Sequence, residues 1–299
     1  MRNPIFPLLG LLAVVACQKD RPAPIPDPPA SDGPKLVLKF KFDSTQARLN
    51  AVGLPAPLVA GHGAQSPRFN TMSAHYVEFA PTAFTPLGSG AVVYYAPETT
   101  AGGANAIDFA QSVNVGDGGT FLEIPLSDLD PGSYEWLRVS LAYQNYDVDF
   151  HVDTLGLNLD LSGTIASFIG FNTYIADSFR VHDQWLAVNG NRLQGFWAFE
   201  VDNPPFPLPV TSGQAPGTTV PNPINDTSPI PAGSCVVTGP FATPLVITGH
   251  ETQDVVITVS LSTNKSFEWT ETDGDNVWEP LNGETVTDMG IRGMVPIVQ

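Results

Sequence analysis

Basic side chains are scarce in this chain. Its 299 residues carry thirteen Lys and Arg against thirty Asp and Glu, a formal net charge of −17 and a pI near 4.4. Phosphate recognition works by displacing counterions with Lys and Arg, so this balance excludes a nucleic-acid partner. Charged residues of any sign make up only 14% of the chain while 42% is hydrophobic, which excludes a disordered acidic protein. Long helices are disfavoured as well, because Gly and Pro number 27 and 29 and Pro stands at roughly twice its usual ~5%. Catalytic signatures are missing: there is no Gly-x-Ser-x-Gly elbow, no His-Glu-x-x-His, no Cys-x-x-Cys and no phosphate-binding Gly loop with Lys-Ser/Thr. Ser262-Thr-Asn-Lys265 matches Ser-x-x-Lys in form only, since it ends a strand and lacks partner motifs. The length fits one or two domains with a real core.

What is present begins with an address. Arg2 precedes the apolar stretch Pro4–Ala16, the anatomy of a secretory signal. About a dozen apolar residues are too few to cross a ~30 Å hydrocarbon core as a helix. The stretch ends Leu12-Ala-Val-Val-Ala-Cys17, which resembles the lipobox of bacterial lipoproteins. That resemblance implies cleavage after residue 16 and lipid attachment at Cys17. Residues 17–34 then form a tether with six prolines and little to bury. Gln18-Lys19-Asp20 is similar to the Lys/acidic export signal of some surface lipoproteins. The expectation is an outer-membrane lipoprotein, at the periplasmic face or the cell surface, anchored to the membrane by its lipid. Loss of residues 1–16 removes Arg2 and no acid, for a mature charge of −18. With Cys17 lipidated, Cys235 has no disulfide partner. It reads as a small buried hydrophobe on a strand or, more sharply, as a thiolate metal ligand.

From Lys35 the pattern has period two: Leu36, Leu38, Phe40 and Phe42 face one way, Lys35, Lys39 and Lys41 the other. Strands are predicted there and at 75–80, 91–96, 120–125, 134–143, 146–154, 178–188, 192–201, 244–248 and 254–262. Asn189-Gly190 predicts a two-residue hairpin. Many short strands with polar turns give an all-β fold, an antiparallel β-sandwich with long Pro-rich loops. Residues 203–233 hold nine prolines and no Lys or Arg. We read 35–299 as one domain, with subdivision into 35–202 and 235–299 around residues 203–234 as the competing expectation.

Two groups of residues could hold metal. On a strand, Asp147, Asp149, His151 and Asp153 share a face with neighbours ~6.6 Å apart, so two of them could reach one ion. A third ligand would come from His75, His182 or His250; a solvated polar face is the other reading. Near the C-terminus, Glu268, Glu271, Asp273, Asp275, Glu279, Glu284 and Asp288 lie in a stretch without Lys or Arg. Thr272-Asp-Gly-Asp-Asn276 resembles the start of a calcium loop. An EF-hand register fails, because Val277 and Trp278 fall where an oxygen ligand and a glycine are needed. A less regular calcium turn and an exposed acidic loop both stay open. The five tryptophans, Trp136, Trp185, Trp197, Trp269 and Trp278, could form a sugar-stacking platform or belong to the core.

Ser73-Ala-His-Tyr-Val-Glu-Phe79 and the run Phe121–Val139, with its Pro131-Gly-Ser-Tyr134 turn before Arg138, are similar to segments of the MbnP-like family of secreted copper-associated β proteins. The resemblance implies copper held by imidazoles, with His75 the histidine inside a matching segment. Copper and calcium are thus the candidate metals, and His75, His151, Asp149, Asp273 and Asp275 the candidate ligands. The functional expectation is a non-enzymatic, lipid-anchored envelope protein that binds metal, a glycan or another envelope protein. The alternatives are a secreted polysaccharide hydrolase using paired carboxyls and a purely structural surface lipoprotein.

Overall fold

The computed structural model describes residues 33–154, 156–215 and 231–299. Cys17, the signal segment and most of the tether lie outside the described residues. In chain order the strands are β1 Lys35–Asp43, β2 His62–Gln65, β3 Arg68–Ala80, β4 Ala91–Tyr95 and β5 Glu98–Thr99. Next come β6 Ala106–Asp108, β7 Thr120–Pro125, β8 Gly132–Thr154 and β9 Leu157–Phe168. Six short strands follow: β10 Asn172–Ile175, β11 Ser178–Arg180, β12 Trp185–Ala187, β13 Gly190–Leu193, β14 Phe196–Val201 and β15 Thr211–Gln214. The last five are β16 Cys235–Ile247, β17 Val255–Ser262, β18 Phe267–Thr270, β19 Val286–Asp288 and β20 Met294–Val298.

The fold is an all-β sandwich built on one long strand. β8 pairs with β3 along one edge. Its other edge is divided: Gly132–Leu141 pairs with β16, and Tyr143–Thr154 pairs with β9. β14 and β15 extend the sheet beyond β9, and β4 extends it beyond β3. At the division the pairing with β3 steps from Tyr143–Ser73 to Leu141–Ala74, leaving Ala142 as a bulge. The Ala142 carbonyl instead accepts from the backbone N–H groups of Ile169 and Gly170, at 2.8 and 2.9 Å. One extra residue shifts the alternation by one. Leu137, Val139 and Leu141 therefore look the same way as Gln144, Tyr146, Val148 and Phe150.

Two smaller sheets cover that face. The sheet β20-β17-β1-β7 packs Leu36, Leu38, Phe40, Val259 and Leu261 against Phe79, Leu137, Val139 and Leu141. The sheet β19-β18-β2 packs Phe267 and Trp269, with Trp278 of the following loop, against Tyr146, Val148 and Phe150. On the opposite face Tyr143, Ala166 and Phe168 bury against Ile175 and Phe179.

Several local expectations are corrected. The strand expected at 178–188 is two strands, β11 and β12, paired with each other. Asn189 and Gly190 do turn the chain with positive φ (43° and 153°), but β12 and β13 belong to different sheets, so no hairpin results. The sandwich is not purely antiparallel: β1 lies parallel to β17 over Leu36–Asp43, and β6 lies parallel to β10. Strands on both sides of the Pro-rich segment share sheets, since β15 joins β14 while β16 joins β8.

Candidate functional site

The acidic stretch after β18 forms a turn whose side chains tie down its own backbone. Trp278, 8% exposed, anchors the far side by packing edge-on to Phe267 at 4.8 Å and near Phe150 at 5.8 Å. Gly274 and Asn276 take positive φ, 90° and 59°, which lets the chain fold back sharply. Asn276 Oδ1 accepts from the Ala64 N–H at 3.0 Å, fastening the turn to β2. Glu271 Oε1 accepts from the N–H of Thr272 and of Gly274, both at 3.2 Å. Asp273 accepts from the Asp275 N–H at 3.2 Å, and Asp275 from the Val277 N–H at 2.7 Å.

These bonds bring one carboxylate oxygen each of Glu271, Asp273 and Asp275 within 4.8 Å of one another. Oxygens bound to one calcium at about 2.3–2.6 Å lie no more than about 5 Å apart, so the spacing fits. Glu271 Oε2 is buried without a hydrogen-bond donor among the described residues. Glu284, 3% exposed, sits beside it, accepting from Thr272 N–H at 3.1 Å and Glu279 N–H at 2.7 Å. Burial and the neighbouring Glu271 charge push the Glu284 carboxyl above its usual range, while backbone N–H groups hold Glu271 below its own despite burial.

The other candidate ligands are dispersed. Asp149 pairs with Arg68 at 3.0 Å and accepts from the Ser162 hydroxyl at 2.7 Å; the Arg68 guanidinium holds its carboxyl low. His151 Nδ1 meets Asp160 at 2.7 Å, and that contact raises the imidazole. Asp147 is taken by Asn70 and Thr164, both at 2.8 Å. The strand face is a ladder of local pairs, and among the described residues it joins no group of three ligand atoms within reach of one ion. His75 is one of two bulge residues of β3, wholly buried, with Nε2 2.9 Å from Glu98 and its ring edge-on to Tyr95. Burial lowers its pKa against the opposing pull of Glu98, so the ring is held neutral. His182 meets Asp202 at 2.8 Å. Among the described residues, the group of three ligand atoms within reach of one ion contains no histidine and no cysteine. The side chains present therefore do not fit a copper centre built from imidazoles; they fit an oxygen-ligated cation. Cys235 is half-buried, its thiol pushed up to about 12 by burial and then by the Asp288 charge, so it stays protonated.

The sequence reading also grouped Glu268 and Asp288 with the turn, and the structure separates them. Glu268, 4% exposed, faces Arg48, Arg292 and His62, with Arg292 at 2.8 Å and His62 at 3.3 Å. Arg292 also reaches Asp288, at 3.1 Å. Burial pushes Glu268 up, but the arginines and His62 outweigh it and hold the carboxyl low; Asp288 is raised by burial. The basic partners arrive from residues 48 and 292, outside the acidic stretch. The tryptophans form no shared platform: Trp269 and Trp278 are core, and Trp185 is the exposed one, at 66%. No family model, curated protein or solved structure matches this chain.

Proposed function

We propose that the chain is a non-enzymatic, lipid-anchored envelope protein that binds a calcium-like cation at the Glu271–Asp275 turn. The convergence of three carboxylates within 4.8 Å, beside a fourth on Glu284, carries the reading. Acids packed this closely repel one another, and a divalent cation relieves that repulsion. Bound cation would lock a loop that projects from the sandwich, fixing its surface for a glycan or another envelope protein. The lipobox-like Leu12–Cys17 supports the anchor and the outer-membrane placement. The hydrolase reading has less behind it, because Glu268 and Asp288, the carboxyls that line a cleft, are both committed to Arg292.

The experiment uses the full chain purified in detergent without chelator. Bound calcium, copper and zinc are measured, and melting is compared with EDTA and with added calcium. One calcium per chain, a lower melting temperature in EDTA and loss of both effects in the D273N/D275N double variant are expected. Absence of stoichiometric metal together with an unchanged melt would refute the cation site. The anchor is tested separately: C17A should move the protein from the membrane fraction to the soluble one.

A further inference from the structure

Two Asn-Gly pairs occur in this chain, Asn189-Gly190 and Asn282-Gly283, each preceded by an apolar residue. At such a pair an asparagine amide closes most readily on the next backbone nitrogen, because glycine brings no Cβ against the five-membered ring that forms. The fold holds the first pair from both sides. Asn189 N–H donates to the Asp177 carbonyl at 3.2 Å, and Gly190 opens β13 in register with Ile175 of β10.

The second pair lies in the turn after Trp278. Asn282 and Gly283 are both exposed. Gly283 takes a φ of 93°, with nothing within 4 Å of the place a Cβ would fill. Its N–H has no hydrogen-bond partner among the described residues, so the attacking nitrogen is not tied up. The amide it would attack is oriented by Glu279: Asn282 N–H donates to the Glu279 carbonyl at 3.0 Å, and Nδ2 to Glu279 Oε2 at 2.9 Å. A carboxylate beside the departing nitrogen stabilises the positive charge which that nitrogen takes up as it is expelled.

We infer that Asn282 is a site of spontaneous deamidation, with Gly283 as nucleophile and Glu279 assisting the leaving group. The Gly283 nitrogen gives its proton to solvent and bonds to Asn282 Cγ. The Cγ–Nδ2 bond breaks, and Nδ2 takes a proton from solvent and leaves as ammonia. Water then opens the cyclic imide at either carbonyl, giving aspartate or isoaspartate, so one water is consumed for each ammonia released. Both products strike the turn at its brace. Glu284, two residues on, accepts from Thr272 N–H at 3.1 Å and Glu279 N–H at 2.7 Å. Isoaspartate adds a methylene to the main chain just before that brace, and either product sets a carboxylate against Glu279 where a donor had been. The turn therefore loosens as the chain ages. The reaction itself does not depend on a bound cation.

The experiment ages the full chain in detergent at pH 8, in the folded state and in urea. Both sites are read by peptide mass spectrometry, and isoaspartate is counted with an isoaspartyl methyltransferase. In the folded protein, conversion at 282 at least tenfold faster than at 189 is expected, with both products present and a lower melting temperature after ageing. In urea the two sites should convert alike. G283A, whose added Cβ meets nothing, should fold and lose most of the conversion at 282. E279Q should slow conversion at 282 at least threefold and leave 189 unchanged. No conversion at 282, equal rates at the two sites in the folded protein, or G283A converting as fast as the unsubstituted chain would each overturn the site. An unchanged rate in E279Q would overturn the role of Glu279.

Discussion

Replacing Arg292 by Met tests whether the buried charge network holds the C-terminal strands in place. Met keeps most of the aliphatic stem and removes the guanidinium. That deletes the bonds to Glu268 Oε1 at 3.1 and 2.8 Å, to Asp288 at 3.1 Å and to the Ser266 carbonyl at 3.3 Å. Breaking a buried pair by removing one partner costs about 3–5 kcal/mol, since the charge left behind stays desolvated. Here the loss is smaller, because the Glu268 side chain, 5% exposed, keeps Arg48 and His62. We expect about 2–4 kcal/mol, a fall in melting temperature of roughly 4–12 °C for a chain of this size. Thermal and urea melts at fixed calcium read it, and E268Q in the R292M background should recover part of the loss, with a coupling of about 1–3 kcal/mol. The pH dependence gives an independent check. The folded-state pKa of Glu268 is depressed, so its contribution is present above the unfolded value, ~4.3, and is lost as pH falls. R292M should flatten that acid limb. A loss within about 0.5 kcal/mol, with the acid limb unchanged, would refute the reasoning and place the network among surface ion pairs of little consequence.

Three further outcomes follow from the geometry. Trp278→Ala should cost about 3–5 kcal/mol in a urea melt, because it empties the contact with Phe267 and Phe150 and frees the acidic turn. Gly63→Ala places a Cβ 2.4 Å from the Trp269 ring on the paired strand, so a melt should show a loss of about 1–3 kcal/mol, whereas Gly283→Ala, whose Cβ meets nothing, should show only the smaller strain of its positive φ. Glu284 has a raised folded pKa, so in chelator its contribution is present at low pH and is lost as pH rises through that pKa. E284Q should remove the alkaline part of that pH profile, and melts from pH 4 to 8 in EDTA read the difference.

The parts of this structure legible in the sequence are those fixed within a few residues. Leu36, Leu38 and Phe40 are fully buried as the alternation of Lys35–Phe42 demands, because a strand decides its faces locally. The acidic turn is legible for the same reason, since Glu271, Asp273 and Asp275 span five residues. What depends on distant partners is not. No local signal marks Ala142 as a bulge, yet that residue decides which side chains of a 23-residue strand face the core. The pairing of β1 with β17 joins Leu36 to Val255, and a strand's pattern states its faces without naming its neighbour. Arg48 reaches Glu268 from 220 residues away, and Arg292 folds back on it from just past the end of the stretch, so an acidic stretch without basic residues looked unpaired in the sequence. The ladder of Asp147, Asp149 and His151 lost its metal-like look once Asn70, Arg68 and Asp160 occupied each member in turn.

The parallel pairing of β1 with β17 also sets an order of events during synthesis. β1 emerges among the first strands, and β7 can cover one of its edges early, but the other waits for residues 255–262. The upper half of β8 likewise waits for β16. Until the last sixty or so residues have left the ribosome, the inner sheet edges and the apolar face of β1 remain open, the condition under which chains aggregate or recruit holding chaperones. Contacts this distant also make folding slow. A chain arranged this way cannot close its main core for as long as its C-terminus is withheld.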